Sequence, residues 1–307
     1  MQTKQQIRQL LASVRHERIN TRLGQHFLID LNLMRLLVDS ANICDNDVVL
    51  EVGCGTGSLT EALVQHAGKV IAVELDPVLA AIAERQLAGA ENVEIIKTDI
   101  LESKKTISRA VTNALELAHK KYPGRIRLVA NLPYSVASPV MLNLATGPTV
   151  ADGMCVTVQK QVAERMTATP GRRDYGTLSI LLSATGEIKM IRVLKPTVFW
   201  PQPQVDSAMV SFVRNRQKVR RIQNMQLFSE TVNLFMGHRR KMVKACTKLT
   251  RGSLAEIDTW PEVFEQCSID STQRPEQLAP EDYIAIANLC CKALGHKKGD
   301  RENLTGT

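Results

Sequence analysis

Apolar positions recur along this chain with two different periods. From residue 48, short β-branched runs alternate with helix-length amphipathic stretches. Val48–Val52 reads as a buried strand, followed by a glycine-rich turn and a helix near 59–67. Lys69–Glu74 is the next strand, and a helix starts at Pro77, where proline suits a first helical position. Residues 93–97, 126–130 and 154–158 supply further strands, and 107–119 an extra amphipathic helix. This alternation predicts a parallel sheet with helices on both faces. After Arg173 the texture changes: 180–184, 188–194 and 208–213 read as neighbouring strands, an antiparallel edge on a mixed sheet. From about Gln223 the strand pattern gives way to helical periodicity as far as Leu294. The expected organisation is an α/β domain over 1–221 with an N-terminal arm at 1–22, a small all-α domain over 222–294, and a polar, flexible tail at 295–307.

Composition narrows the class. The chain has 307 residues, 44% hydrophobic and 23% charged, which excludes disorder, collagen-like repeats and a small disulfide scaffold. No apolar run approaches the roughly 18 residues of a membrane span. The opening Met1-Gln2-Thr3-Lys4-Gln5-Gln6 is too polar for a signal peptide. Seven cysteines without a C-x-x-C pair or clustered histidines read as reduced thiols, with no metal site, in the cytoplasm. Lys plus Arg exceed Asp plus Glu by 39 to 31, a net charge of +8 that asks for a polyanionic partner. That surplus is local. Residues 214–251 hold eleven Lys or Arg and one acid, Glu230, for +10, and the rest of the chain sums to −2.

The candidate chemistry begins at Glu51-Val52-Gly53-Cys54-Gly55-Thr56-Gly57, where a strand gives way to a helix. Glycines there let backbone N–H groups approach a ligand. A dinucleotide fingerprint needs glycine at 58, and Ser58 stands there. Glu74 ends the second strand, where a carboxylate can accept both hydroxyls of a ribose. Asp99 follows the third strand, placed to reach an adenine amino group. Cys54 reads as a small filler within the turn. The turn and two acids together resemble the class I S-adenosylmethionine methyltransferases, with a nicotinamide-binding turn or a merely structural turn as the alternatives.

Asn131-Leu132-Pro133-Tyr134 follows the fourth strand, at the edge of the sheet where ligands bind in open α/β folds. It resembles the motif of enzymes that methylate exocyclic amino groups of bases. The adenine N6 nitrogen is a poor nucleophile because its lone pair is delocalised into the ring. The Asn131 oxygen and the Leu132 carbonyl can accept its two hydrogens and localise that pair. Pro133 stiffens the loop, and Tyr134 offers a face for an unstacked base, worth about 1–3 kcal/mol. This motif gives the basic segment a nucleic-acid reading. Arg240, Lys244 and Lys248, spaced by four, would share a helical face, with Met242, Ala245, Cys246 and Leu249 opposite. Arg239 and Lys241 join them as candidate RNA contacts, and Lys4, Arg8, Arg15, Arg18 and Arg22 against Glu17 form a second basic element.

Four further segments extend the resemblance to nearly the whole chain. These are 23–30 (LGQHFLID), 199–207 (FWPQPQVDS), 237–241 (GHRRK) and 274–278 (RPEQL). With Asn131–Tyr134 they are similar to the ribosomal RNA adenine dimethylase family, and the helical tail to its small-subunit (16S) branch. The resemblance implies a class I, Rossmann-like mixed sheet with a small all-α C-terminal domain, and S-adenosyl-L-methionine as cofactor. It also implies N6,N6-dimethylation of two adjacent adenosines near the 3′ end of small-subunit rRNA by a monomer acting on a pre-ribosomal subunit. It places His26 and Leu28 over the cofactor, Gly53 at its methionine end, Glu74 on the ribose and Asp99 on the adenine. Asn131 lies at the reactive centre, with Tyr134 and Phe199 on either side of the target adenine. Two features depart from the family. His26 stands where asparagine is usual, which would make cofactor affinity depend on pH near the ordinary histidine range. The spacing from Asp99 to Asn131 is long, and the added 107–119 helix lies beyond the strands. A large-subunit rRNA adenine methylase and a non-catalytic RNA-binding assembly factor are the competing readings.

Overall fold

The computed structural model describes residues 1–14, 25–103 and 106–304, with side chains through residue 295. Among the described residues, the main sheet has seven strands: Val48–Val52 (β1), Lys69–Glu74 (β2), Val93–Lys97 (β3), Ile126–Asn131 (β4), Gly153–Gln159 (β5), Gly186–Leu194 (β6) and Ser207–Arg214 (β7). Their spatial order is β3-β2-β1-β4-β5-β7-β6. The first five run parallel, and β7 pairs antiparallel with β5. β1 is buried along its whole length, as its nearly unbroken apolar sequence requires of a central parallel strand. Because β2 lies on one side of β1 and β4 on the other, the sheet reverses its winding there. That opens a crevice at the carboxyl ends of these strands.

Helix starts near this edge are set by carboxylates. Asp30 accepts from the amides of Asn32 and Leu33 to begin Leu31–Ala41. Asp76 accepts from Val78 and Leu79 to begin Pro77–Gln86, with Pro77 in the first turn.

Two compact units emerge: Met1–Ala163 with Ile188–Arg214, and Glu164–Glu187 with Asn215–Thr307. The boundary expected after residue 221 therefore moves to 214, and a segment from the middle of the chain joins the helical unit. The reason is Thr177–Thr185, a helix containing the run 180–184 that the sequence suggested as a strand. It is buried nearly all round and packs against the helices Met225–Gly237 and Pro280–Leu304. With no solvent-facing side, its apolar run carries no period to tell strand from helix. The aromatic centre of this unit is Phe235, which meets Trp260, Phe264 and Tyr283 at ring-centroid distances of 6.1, 6.4 and 6.1 Å.

Two further expectations change. The helix Pro280–Leu304 continues past Gly295 into what was read as a flexible tail. The helical face expected for Arg240, Lys244 and Lys248 does not lie on one continuous helix: Met225–Gly237 ends, a turn follows, and beyond it the helical pieces are the short Val243–Cys246 and Thr247–Leu249 turns. Cys246 is buried as expected, but Met242 and Leu249 are exposed, because the break rotates them out of the predicted apolar face. No helix among the described residues is long and apolar enough to cross a membrane.

Candidate active site

A cavity of about 240 Å³ opens at the carboxyl edge of the sheet, and Gly53, Glu74, Asp99, Asn131, His26 and Pro133 are among its walls. The glycine turn makes its floor. Gly53 has φ +76°, and a Cβ there would sit 2.8 Å from the Pro133 ring. Gly55 has φ +58°, and its Cβ would lie 2.8 Å from the Phe27 ring. Two segments distant in sequence thus close onto the turn only because it lacks side chains.

Glu74 is held rigidly. Its Oε2 accepts from the Gly55 amide at 2.8 Å and its Oε1 from the Asp76 amide at 2.9 Å. Burial raises its pKa above the ordinary carboxylate value, against amide hydrogen bonds that pull it down. Each oxygen keeps a further lone pair, so the group can still accept from a ribose diol. Asp99 is exposed at the cavity, with Oδ1 accepting from the Leu101 amide at 2.9 Å. A glycine turn with two carboxylates on successive strand ends is a donor and acceptor set that fits an adenosyl ligand.

The Asn131 amide is oriented by two elements. Its Nδ2 donates to the His26 carbonyl at 2.7 Å, and its Oδ1 accepts from the Thr157 hydroxyl. Asn131 and Thr157 are opposite one another in the β4–β5 ladder, and the Leu132 amide donates to the Thr157 carbonyl at 3.2 Å. A carbonyl acceptor can be neither donor nor protonated, so His26 O settles which end of the Asn131 amide is nitrogen. The Leu132 side chain is buried, and its carbonyl accepts no hydrogen bond among the described residues. Thr157 was not singled out in the sequence. A lone hydroxyl in an apolar strand carries no motif, and only the ladder register reveals its partner.

The Tyr134 hydroxyl shares a 2.7 Å hydrogen bond with Ser207 Oγ, and its ring stacks on His26 with centroids 5.6 Å apart. His26 Nδ1 lies 2.7 Å from the Pro201 carbonyl, so that nitrogen carries the proton. Phe199, expected to face a base opposite Tyr134, is enclosed by the core. Phe199 is 1% exposed and packs with Leu28, Leu33, Met34 and Leu194. It also pairs with Leu28 in the short ladder Leu28↔Phe199, Phe27↔Trp200. An aromatic ring there is satisfied by the core, and the ring beside Tyr134 is His26. Leu28 likewise faces that cluster, and lines a separate void of about 40 Å³ shared with Glu51, Ser58 and Asn131.

Glu51 is wholly enclosed, and its Oε2 has no partner among the described residues. Burial, with the nearby Glu74 charge, pushes its pKa up to about 8. Gln2 is another residue that the sequence did not mark. Its side chain joins Thr56 by hydrogen bonds of 3.1 and 2.6 Å, and its amide donates to Ser58 Oγ at 2.7 Å. The helix Lys4–Ser13 then packs Ile7 and Leu11 against Leu79 and Ile82. The arm is thus partly a packed element, with the Arg8 guanidinium 5.9 Å from the Trp200 ring centroid. Arg15, Glu17, Arg18, Arg22, Leu23 and Gly24 lie outside the described residues.

In the helical unit, Arg240, Lys241, Lys244 and Lys248 are exposed. Arg239 differs from them. Its Nε and Nη2 donate to Glu276 Oε2 at 3.0 and 2.8 Å, and both Nη atoms reach the Arg173 carbonyl at 3.2 and 3.1 Å.

Known proteins are similar to this chain in sequence and in fold. The sequence profile of the ribosomal RNA adenine dimethylase family matches residues 16–290. Ribosomal RNA small subunit methyltransferase A of Alkaliphilus oremlandii is 36% identical over 275 residues, covering 89% of this chain and 92% of that protein. The protein of the same name from a Geobacillus strain is 36% identical over 270 residues, covering 87% and 89%. Among solved structures, a dimethyladenosine transferase from Plasmodium falciparum aligns with a TM-score of 0.67 at 22% identity, over 85% of this chain and 95% of that one. The 23S rRNA methyltransferase ErmE aligns at 0.59 and 20% identity, over 85% and 98%. These two establish the class I methyltransferase fold, with its helical C-terminal region. The profile match and the relatives at this identity and coverage carry the rest: the chain belongs to the ribosomal RNA adenine dimethylase family.

Proposed function

We propose that the protein is an S-adenosyl-L-methionine-dependent methyltransferase that converts two adjacent adenosines near the 3′ end of small-subunit rRNA to N6,N6-dimethyladenosine. Its substrate is rRNA in an assembling small subunit, and it acts as a monomer in the cytoplasm. The observation that carries this reading is the Asn131 amide, oriented by Thr157 and the His26 carbonyl at the wall of a cavity floored by the glycine turn. The small-subunit assignment rests on what the relatives are named for.

The bound cofactor supplies an electrophilic methyl group on a sulfonium. Glu74 accepts from the ribose hydroxyls and Asp99 from the adenine amino group, while the bare backbone at Gly53 admits the methionine end. Asn131 Oδ1 keeps one lone pair beyond that used by Thr157. With the Leu132 carbonyl it accepts the two N6 hydrogens of the target base and localises the nitrogen's electron pair. Tyr134 offers its ring face to the base. Positioning carries most of the rate acceleration. The exposed cations after residue 239 hold RNA phosphates.

Mass spectrometry of rRNA from cells with and without the protein tests this reading. Small-subunit dimethyladenosine should disappear without it. Loss of methylation confined to large-subunit rRNA would assign the protein to the other branch, and unchanged rRNA with retained subunit binding would make it a non-catalytic factor.

A further inference from the structure

Two segments of the helical unit, far apart in sequence, are fastened together by one arginine. Arg239 follows the helix Met225–Gly237, and its guanidinium spans Glu276 and the Arg173 carbonyl. The backbone reinforces this junction: the Gly171 amide donates to the Glu276 carbonyl at 2.7 Å. Buried Tyr175 donates its hydroxyl to the Leu278 carbonyl at 2.9 Å. Loop 169–175 is therefore anchored at Gly171, Arg173 and Tyr175.

What the junction displays is positive. Arg172 and Arg173 are exposed on the loop, and Arg240 and Lys241 on the turn. None of these four side chains makes a hydrogen bond or ion pair among the described residues. The loop has one acid, the exposed Asp174. The turn itself is concave, enclosing about 440 Å³ lined by Gly237, His238, Arg239, Arg240 and Lys241. Arg172 and Arg173 lie outside the charge-rich stretch 214–251, so counting charge along the chain does not group them with it.

We propose that loop 169–175 and turn 237–241 form one phosphate-binding surface for the rRNA backbone. Arg172, Arg173, Arg240 and Lys241 contact phosphates, and Arg239 is the positioning residue that joins their two segments. A folded RNA presents phosphates at fixed spacing, so cations on two tethered segments fix register better than cations on two independent loops. Arg239 is already committed to a carboxylate and a carbonyl, and contributes by geometry rather than by charge. This inference rests on the function proposed above.

The decisive variant is Glu276→Gln. It makes the protein more positive and frees Arg239 from its carboxylate. If Arg239 were simply a phosphate contact, binding to isolated small subunits would tighten. The surface proposed here predicts the reverse: binding weakens several-fold, and trypsin cuts faster after Arg172 and Arg173 in the free protein. The tryptic readout needs no RNA and reports the loop directly. The double reversal Arg172→Glu, Arg173→Glu should weaken binding at least tenfold. It should also flatten the log–log salt dependence by about 1.4–1.8, two phosphate contacts at roughly 0.7–0.9 each. A thermal midpoint at the wild-type value checks that the double variant is folded. Tighter or unchanged binding by Glu276→Gln, or an unchanged salt slope in the double reversal, overturns the surface. Wild-type protein that methylates small subunits alongside either result keeps the proposed function standing. Wild-type protein that neither binds nor methylates them removes both.

Discussion

The carboxyl edge of the sheet and the basic turn of the helical unit both hold family motifs, but they hold them in opposite ways. At the sheet edge nearly every polar atom is fixed by another: Glu74 by two backbone amides, Asn131 by Thr157 and His26, Tyr134 by Ser207. At the turn, only Arg239 is fixed, and its neighbours Arg240 and Lys241 extend into solvent. The difference matches the tasks proposed for the two regions. A reaction driven by placement needs each acceptor set before the substrate arrives. Phosphate binding tolerates long cations that adjust, provided their backbones are anchored.

If that contrast is right, substitutions at the sheet edge act on rate and those at the turn act on affinity and its salt dependence. The largest effect is expected for Asn131→Ala, a loss in methyl transfer of roughly 10²–10³, as for removal of a preorganised hydrogen-bonding group. RNA binding should survive, and single-turnover transfer beside a binding titration separates the two. Next comes Thr157→Val, which keeps the volume but removes the hydroxyl that orients Asn131. One net hydrogen bond, about 0.5–1.5 kcal/mol, corresponds to roughly a twofold to tenfold drop in kcat with KM little changed. Thr157→Ser should restore most of it. A Val variant with wild-type kcat would show that the His26 carbonyl alone orients the amide.

Reversing Arg240 and Lys241 to Glu should leave the rate on saturating RNA near wild type while weakening binding and flattening its salt slope by about 0.7–0.9 per contact. A fall in the saturated rate instead would erase the contrast between the two regions. The smallest expected effect is on stability. The folded chain holds the Glu51 proton from its ordinary value of 4.5 up to about 8. The stability this lends is complete below the lower value and is lost as pH rises through the upper one. Between about pH 5 and pH 9, Tm should therefore decline less for Glu51→Gln than for the unmodified protein. Parallel declines would mean that Glu51 ionises freely in the folded state.

The parallel strands and most of the polar residues that line the cavity are legible in the sequence because both follow from local order. Buried central strands leave unbroken apolar runs, and acids mark their carboxyl ends, Glu74 as the last residue of its strand and Asp99 two residues past the end of the next. What stayed hidden depends on partners remote in sequence. Thr157 acquires its role from a ladder partner 26 positions away, and Arg239 from a carboxylate 37 positions away. Phe199 carries two readings for a different reason: an aromatic ring suits a hydrophobic cluster, where the structure holds it, as well as a base, and its sequence context is the same for both. The run 180–184 was ambiguous because a helix buried on all sides loses the polar stripe that would identify it.

The route of the chain between its two compact units also bears on how the enzyme can be dissected or recombined. The backbone leaves the sheet-containing unit after Ala163, returns at Ile188 and leaves again after Arg214. A single cut at residue 214 would not yield a free-standing catalytic fragment. It would keep the helix Thr177–Thr185 while discarding the helices that cover it, exposing Ile180, Leu181 and Leu182 to water. Exchanging the helical unit for another therefore requires replacing two stretches of gene together, the internal insert as well as the tail.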